Sequence, residues 1–227
     1  MSASTSSAQF HRVGNDPRAP GLSLWEAVVI FSRRPSPRIL AGTVLWFCAV
    51  RLLVGGFSWW DLVVPLAAVL LHPLTEWVIH VAILHWRPRN LGPITLDTLL
   101  ASEHRAHHEN PHDERHWFIP TRSGLLGLAF VALVGWLVMP TTGLWLTLVA
   151  TTQLIGLVYE WTHYLSHTSY RPRGRFYKSI WRHHRLHHFK NEHYWMGVTL
   201  HLGDRLLGTM PDPKSVETSP TCRKLHG

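Results

Sequence analysis

Ten of the eighteen histidines in this 227-residue chain fall into four tight groups. They are His80 and His85 (HVAILH), His104, His107 and His108 (HRAHH), His163 and His167 (HYLSH), and His184, His187 and His188 (HRLHH). On a helix, positions i, i+3 and i+4 share a face. Each triplet is therefore expected to present three imidazoles to one point, and His163 with His167 to do the same one turn apart. His80 and His85 fit less well, because five residues leave an offset of about 140° at the α-helical period. Either that pair serves from different sides, or the helix loosens near His85, ahead of Pro88. A lone HxxxH arises by chance on many helices. Two HxxHH groups, each paired with an HxxxH or HxxxxH, do not. Ten neutral imidazoles are too many for one ion and suit two ions of the imidazole-preferring group of zinc, copper, iron and nickel. Nitrogen ligation without cysteine disfavours a structural zinc finger. Zinc has no redox change to offer, so a redox task points to iron.

The other histidines read as supporting residues. His183 lies off the HRLHH face and is expected outside the ligand set. His72, deep in an apolar run before Pro73, is expected to hydrogen-bond a neighbouring helix. His112, His116, His193 and His201 are near enough in sequence to line the site, and His11 and His226 are tail residues. A ligating imidazole needs an acceptor for its second nitrogen. Glu76, Glu160, Asp97, Glu103, Asp113 and Asp204 are the candidate acceptors, each equally able to serve as an ordinary salt-bridge partner.

The elements that must position these groups are apolar. Hydrophobic residues make up 46% of the chain and charged residues 16%, against about 25% charged in a soluble domain. Four long apolar stretches cover roughly residues 39–57, 62–84, 125–138 and 144–159. A membrane span takes about 17–25 residues. The last two are short for that, and the MPTTG turn between them makes a helical hairpin. Low charge, glycine and twelve tryptophans argue against the soluble all-α alternative. The prediction is an all-α, four-transmembrane-helix bundle with a histidine-rich cap. Residues 24–35 are expected to form a short amphipathic helix, ending at Pro35, on the membrane surface. Domain limits are set at 1–23 for an N-terminal tail, 24–212 for the membrane domain and 213–227 for a C-terminal tail. Cys48 and Cys222 form no disulfide framework and are read as inert.

The balance of 22 Lys+Arg against 14 Asp+Glu gives a formal charge of +8. The cations are spread among tryptophans and apolar runs, which favours membrane lipids over nucleic acid. Arginines and lysines precede the first stretch, fill the segment between the second and third, and follow the fourth. The two opposite connections have none. By the positive-inside tendency, both termini and the cap face the cytoplasm. Arg87, Arg115 and Arg122 serve either as topology determinants or as contacts for an anionic headgroup or an acidic redox partner.

HRAHHENPHDERHWFIP, YEWTHYLSH, HHRLHHFKNEHYWMGVT and DRLLGTMP together resemble the fatty acid hydroxylase superfamily, also called the sterol desaturase family. Within it they are most similar to fatty acid 2-hydroxylases, over roughly residues 72–212. The resemblance implies that His80, His85, His104, His107, His108, His163, His167, His184, His187 and His188 are the catalytic metal ligands. They would hold two iron ions, replaceable by zinc on purification, with O2 as co-substrate. It implies hydroxylation of a lipid hydrocarbon chain, a fatty acyl chain before a carotenoid, sterol or other isoprenoid. Many such 2-hydroxylases carry a cytochrome b5-like domain. About 38 residues without a haem-binding pattern precede the first span here, so a separate donor is expected, a ferredoxin or a cytochrome b5-like protein with its reductase. A metal transporter or storage protein would want polar residues at the bilayer midplane, whereas these histidines gather toward one face. A catalytically dead scaffold would be expected to have lost part of the set.

Overall fold

The computed structural model describes residues 21–225. The N-terminal tail assigned to 1–23 lies almost wholly outside them, as do His11 and His226. Helix α1 (Leu24–Phe31) starts at a reciprocal cap: Ser23 Oγ accepts from Glu26 N, and Glu26 returns a carboxylate to Ser23 N, as in a capping box. It stops at Phe31 rather than reaching Pro35. Ala27 and Phe31 pack inward on Tyr164 and Leu165, while Leu24 and Trp25 stay exposed. The helix is thus pinned to the cap on one side and free to meet lipid on the other.

Four long helices follow. Helix α2 (Pro35–Val54) opens with prolines in its first turn, where a missing N–H costs nothing, and ends at Gly55 with φ +64°. Helix α3 (Trp60–Ile79) runs straight into a wider turn, His80–Leu84, in which His85 N bonds the His80 carbonyl at 3.0 Å. Helices α5 (Thr121–Val138) and α6 (Thr142–His167) form the expected hairpin. Helix α6 is central and packs on α2, α3 and α5. All four are long and apolar enough to cross a membrane, and only 6–22% of each apolar window is buried inside the molecule. Leu53, Leu126 and Leu137 are more than 70% exposed, while histidines and carboxylates fill the interior of the cap. Apolar outside and polar inside is the distribution a bilayer selects. The protein is a multi-pass membrane protein.

The apolar reading misplaced the cap-side ends. Helix α6 runs eight residues past Tyr159, because Glu160, Thr162, His163, Ser166 and His167 dilute hydropathy without breaking the helix. At the other end, Arg51 is buried and paired with Asp61 at 2.7 Å; its Nε also meets Thr147 at 3.1 Å. This cluster ties α2, α3 and α6 together.

The cap is built from α4 (Leu99–Glu109), capped by Thr98, and α7 (Arg175–Phe189), with a short α8 (Leu202–Leu206). Gly203 permits α8 to lie on α3: a Cβ there would sit 2.4 Å from the Pro73 carbonyl oxygen. One small departure from the all-α expectation is an exposed antiparallel hairpin, β1 (Arg89–Leu91) and β2 (Ile94–Leu96), with Asn90 opposite Thr95.

Candidate metal centre

The ten histidines meet at the cap end of the bundle in two groups of five. The first is His80, His85, His104, His108 and His187; the second is His107, His163, His167, His184 and His188. Within each group the candidate ligand atoms lie within 4.8 Å of one another. The triplets do not each converge on one point, as the spacing had suggested. On α4, His104 and His108 serve the first group and His107 the second. On α7, His184 and His188 serve the second and His187 the first. Positions i+3 and i+4 diverge by about 100° around the axis, so two helices lying side by side can each feed two sites. The two groups are built alike: each takes one pair from a span, an i, i+4 pair from one cap helix and a single histidine from the other.

The wide turn at His80–Leu84 resolves the five-residue spacing. The hydrogen bond there spans five residues, from His85 N to the His80 carbonyl, and this widening brings His80 and His85 toward the same side, 5.0 Å apart between ring centres. The helix does loosen, and by this specific hydrogen-bond shift.

The second ring nitrogens decide the chemistry. His80 Nδ1 meets the Met196 carbonyl at 2.6 Å, His108 Nδ1 that of Cys222 at 2.9 Å, His187 Nδ1 that of Tyr194 at 2.9 Å and His163 Nδ1 that of Trp117 at 2.8 Å. A carbonyl only accepts, so each Nδ1 carries the proton and each Nε2 is a bare lone pair. His187 Nε2 and His108 Nε2 nevertheless face one another at 3.2 Å. Two lone pairs at that distance repel unless a cation lies between them. Ligands at about 2.0–2.1 Å from a metal, at tetrahedral to octahedral angles, stand about 2.9–3.4 Å apart. Three other Nε2 approaches follow suit, His104 to His108 at 3.1 Å, His85 to His187 at 3.3 Å and His107 to His167 at 3.0 Å, while His167 to His184 is tighter at 2.7 Å. His80 Nε2 and both nitrogens of His188 are buried without a partner. Burial, reinforced by neighbouring imidazoles, pushes His104, His107, His184, His187 and His188 well below the ordinary histidine range, and burial takes His108 down to about 3. They are neutral and ready to ligate. The donor set fits two metal ions.

The carboxylates expected to brace the imidazoles do so at one remove. Glu76 accepts from Val198 N at 2.6 Å and Thr199 N at 2.9 Å, and Asp204 from Met196 N at 2.9 Å and Gly197 N at 2.7 Å. They fix the loop whose Tyr194 and Met196 carbonyls hold His187 and His80. Between those carbonyls, Trp195 is 1% exposed and sits at φ +58°, a region sparsely occupied by bulky residues. Glu160 instead ties Ser36 Oγ to Ile119 N, Asp97 pairs with Arg105, Glu103 with His116 and Asp113 with Arg115. None of these four reaches a clustered imidazole. Sequence could not have found the bracing residues at Trp117, Tyr194, Met196 and Cys222, because they act through backbone carbonyls. Trp195 alone left a trace, as a bulky residue in HYWMG.

The remaining described histidines stay outside both groups. His183 Nε2 bonds Asp204 at 2.8 Å and its ring stacks on His201. His72 bonds Thr199 at 3.0 Å, in a loop rather than a helix. His112 stacks on Phe189, and His193 is exposed near Glu192.

A family model described as fatty acid hydroxylase matches residues 65–209. Among curated proteins the chain is similar to two dihydroceramide fatty acyl 2-hydroxylases of Arabidopsis thaliana. One is 26% identical over 201 residues, 88% of this chain and 82% of the relative. The other is 30% identical over 149 residues, 65% of this chain and 60% of the relative. Among solved structures it is similar to full-length Scs7p, of which the hydroxylase domain is visible. The TM-score is 0.65 at 19% identity, over 88% of this chain and 70% of that one, and this likeness speaks to fold. Since the family match spans well over half the sequence and takes in all ten clustered histidines, the chain belongs to the fatty acid hydroxylase family.

Proposed function

We propose that the protein is a membrane di-iron oxygenase that hydroxylates a fatty acyl chain, with carbon 2 as the favoured position. The observation that carries it is the pair of facing, proton-free Nε2 atoms of His108 and His187 at 3.2 Å, among ten clustered imidazoles of which eight are buried. His80, His85, His104, His108 and His187 would hold one iron, and His107, His163, His167, His184 and His188 the other. Iron held there would supply O2 activation for a hydroxylation in which one oxygen atom enters a C–H bond, the other leaves as water, and two electrons and two protons are consumed. Electrons come from a separate ferredoxin or cytochrome b5-like donor with its reductase.

The chain's own residues orient and enclose. Carbonyls hold the imidazoles in one tautomer, and the buried Trp117, Trp195 and Val198 help exclude bulk water, which an oxidising site requires. Tyr159 stacks on His163 with ring centres 5.9 Å apart, one turn deeper in the bundle. An acyl chain entering from the bilayer would meet it before the imidazoles. Cationic residues flank the spans on the cap side, which supports a cytoplasmic site and cytoplasmic termini. The relatives named as dihydroceramide fatty acyl 2-hydroxylases favour an acyl substrate over a carotenoid or sterol. Ligands gathered at one end of the bundle, away from the midplane, speak against metal transport.

Cells expressing the protein with a donor under 18O2 should accumulate an 18O-labelled 2-hydroxy fatty acid, absent with His187→Ala. A labelled carotenoid or sterol would replace the substrate and keep the chemistry. Label arriving from water would overturn the mechanism.

A further inference from the structure

The stretch 213–225, set apart from the membrane domain on sequence grounds, lies across the ends of the two cap helices that carry the triplets. Ser219 N donates to the Lys190 carbonyl at 2.7 Å, directly after α7. Glu192, 2% exposed, accepts from Ser219 Oγ at 3.1 Å and Thr221 Oγ1 at 2.5 Å. At the far end, Arg223 donates to the His108 carbonyl at 3.3 Å and the Glu109 carbonyl at 3.1 Å, two of the orphan acceptors at the C-terminus of α4. Between these anchors the buried Cys222 turns its own carbonyl onto His108 Nδ1 at 2.9 Å. Leu225 is buried beyond it.

Carbonyls of Trp117, Tyr194 and Met196 fix three other imidazole tautomers and that of Pro111 meets His167, all inside the family-matched region 65–209. The Cys222 carbonyl comes from outside it, on a segment without a helix, held by two anchor points. Its imidazole is central to the first group, since His108 Nε2 faces both His104 and His187.

We propose that residues 219–223 form a clasp that sets the metal affinity of the first group, His80, His85, His104, His108 and His187, leaving the second group unaffected. Glu192 and Thr221 act as positioning residues: they hold the clasp so that Cys222 orients His108. The inference rests on the metal-centre reading but not on iron, O2 or the lipid. Loss of such an outer bond typically weakens metal affinity about 10–100-fold.

The test uses the full chain in detergent, loaded with zinc and titrated with a chelator, with released zinc measured. The parent should release two ions. Thr221→Val should release one of them at about 10–100-fold lower chelator and the other unchanged. Thr221→Ser keeps the hydroxyl and should match the parent. Glu192→Ala should repeat the loss, and an unchanged far-ultraviolet spectrum would separate it from misfolding. Loss of both ions together in Thr221→Val, or of neither, overturns the clasp. A parent holding fewer than two zinc ions overturns the metal-centre reading beneath it.

Discussion

At the scale of single residues, the site is a set of imidazoles whose protons are assigned by carbonyls, and those carbonyls are held by buried carboxylates. Glu76→Ala should leave the Val198 and Thr199 amides without their acceptor and release the loop that carries Met196. Metal affinity at the first group should fall about 10–100-fold, read by chelator competition, whereas Asp97→Ala, which breaks a surface pair with Arg105, should change it little. Acid should empty the site. His104, His107, His108, His184, His187 and His188 have folded values below the ordinary histidine pKa of about 6.5. Above that pH neither the folded nor the unfolded chain carries the protons. As pH falls below it, the unfolded, metal-free chain takes them up first, so stability and metal retention decline together. Dialysis across pH 5–8 should show retention flat above about 6.5 and falling below; a loss that begins on the alkaline side would contradict this. That these ten histidines belong together was legible, because histidine spacing survives in sequence. Their division between two groups was not, since i+3 and i+4 diverge by an amount that matters only once a second helix lies alongside.

At the scale of elements, helix ends and the turn at His80 decide which imidazoles meet. The apolar runs located all four spans but stopped α6 at Tyr159, where the polar stretch with His163 and His167 begins. HVAILH signalled a distortion, and the widened turn is its form; Pro88, four residues beyond the turn, is not needed to explain it. The β1–β2 hairpin left no apolar pattern, as it buries nothing. The packing of α8 on α3 depends on Gly203. Gly203→Ala should push α8 off the Pro73 carbonyl and cost about 1–3 kcal/mol by overpacking, lowering the thermal midpoint. An unchanged midpoint would show that α8 shifts freely.

At the scale of the whole molecule, lipid replaces water around the bundle while the cap buries its polar groups. The protein should sediment with membranes, resist high-salt washing and enter solution only with detergent; release by salt alone would remove the transmembrane assignment. Composition and charge were enough to read this level, because a bilayer imposes apolar length on the sequence directly. The course of residues 213–225 was not readable, because a backbone carbonyl leaves no side-chain signature.

The central claim, that two groups of five imidazoles hold two metal ions, is tested most directly on protein purified without chelators from iron-supplemented cells. Elemental analysis should give about two transition-metal ions per chain, iron or zinc that has displaced it, and X-ray absorption should show a nitrogen shell at about 2.0–2.1 Å if the ion is zinc. His187→Ala should lower the count, and His193→Ala should not. A parent chain that holds fewer than two ions, or a sulfur-dominated shell, would contradict the account.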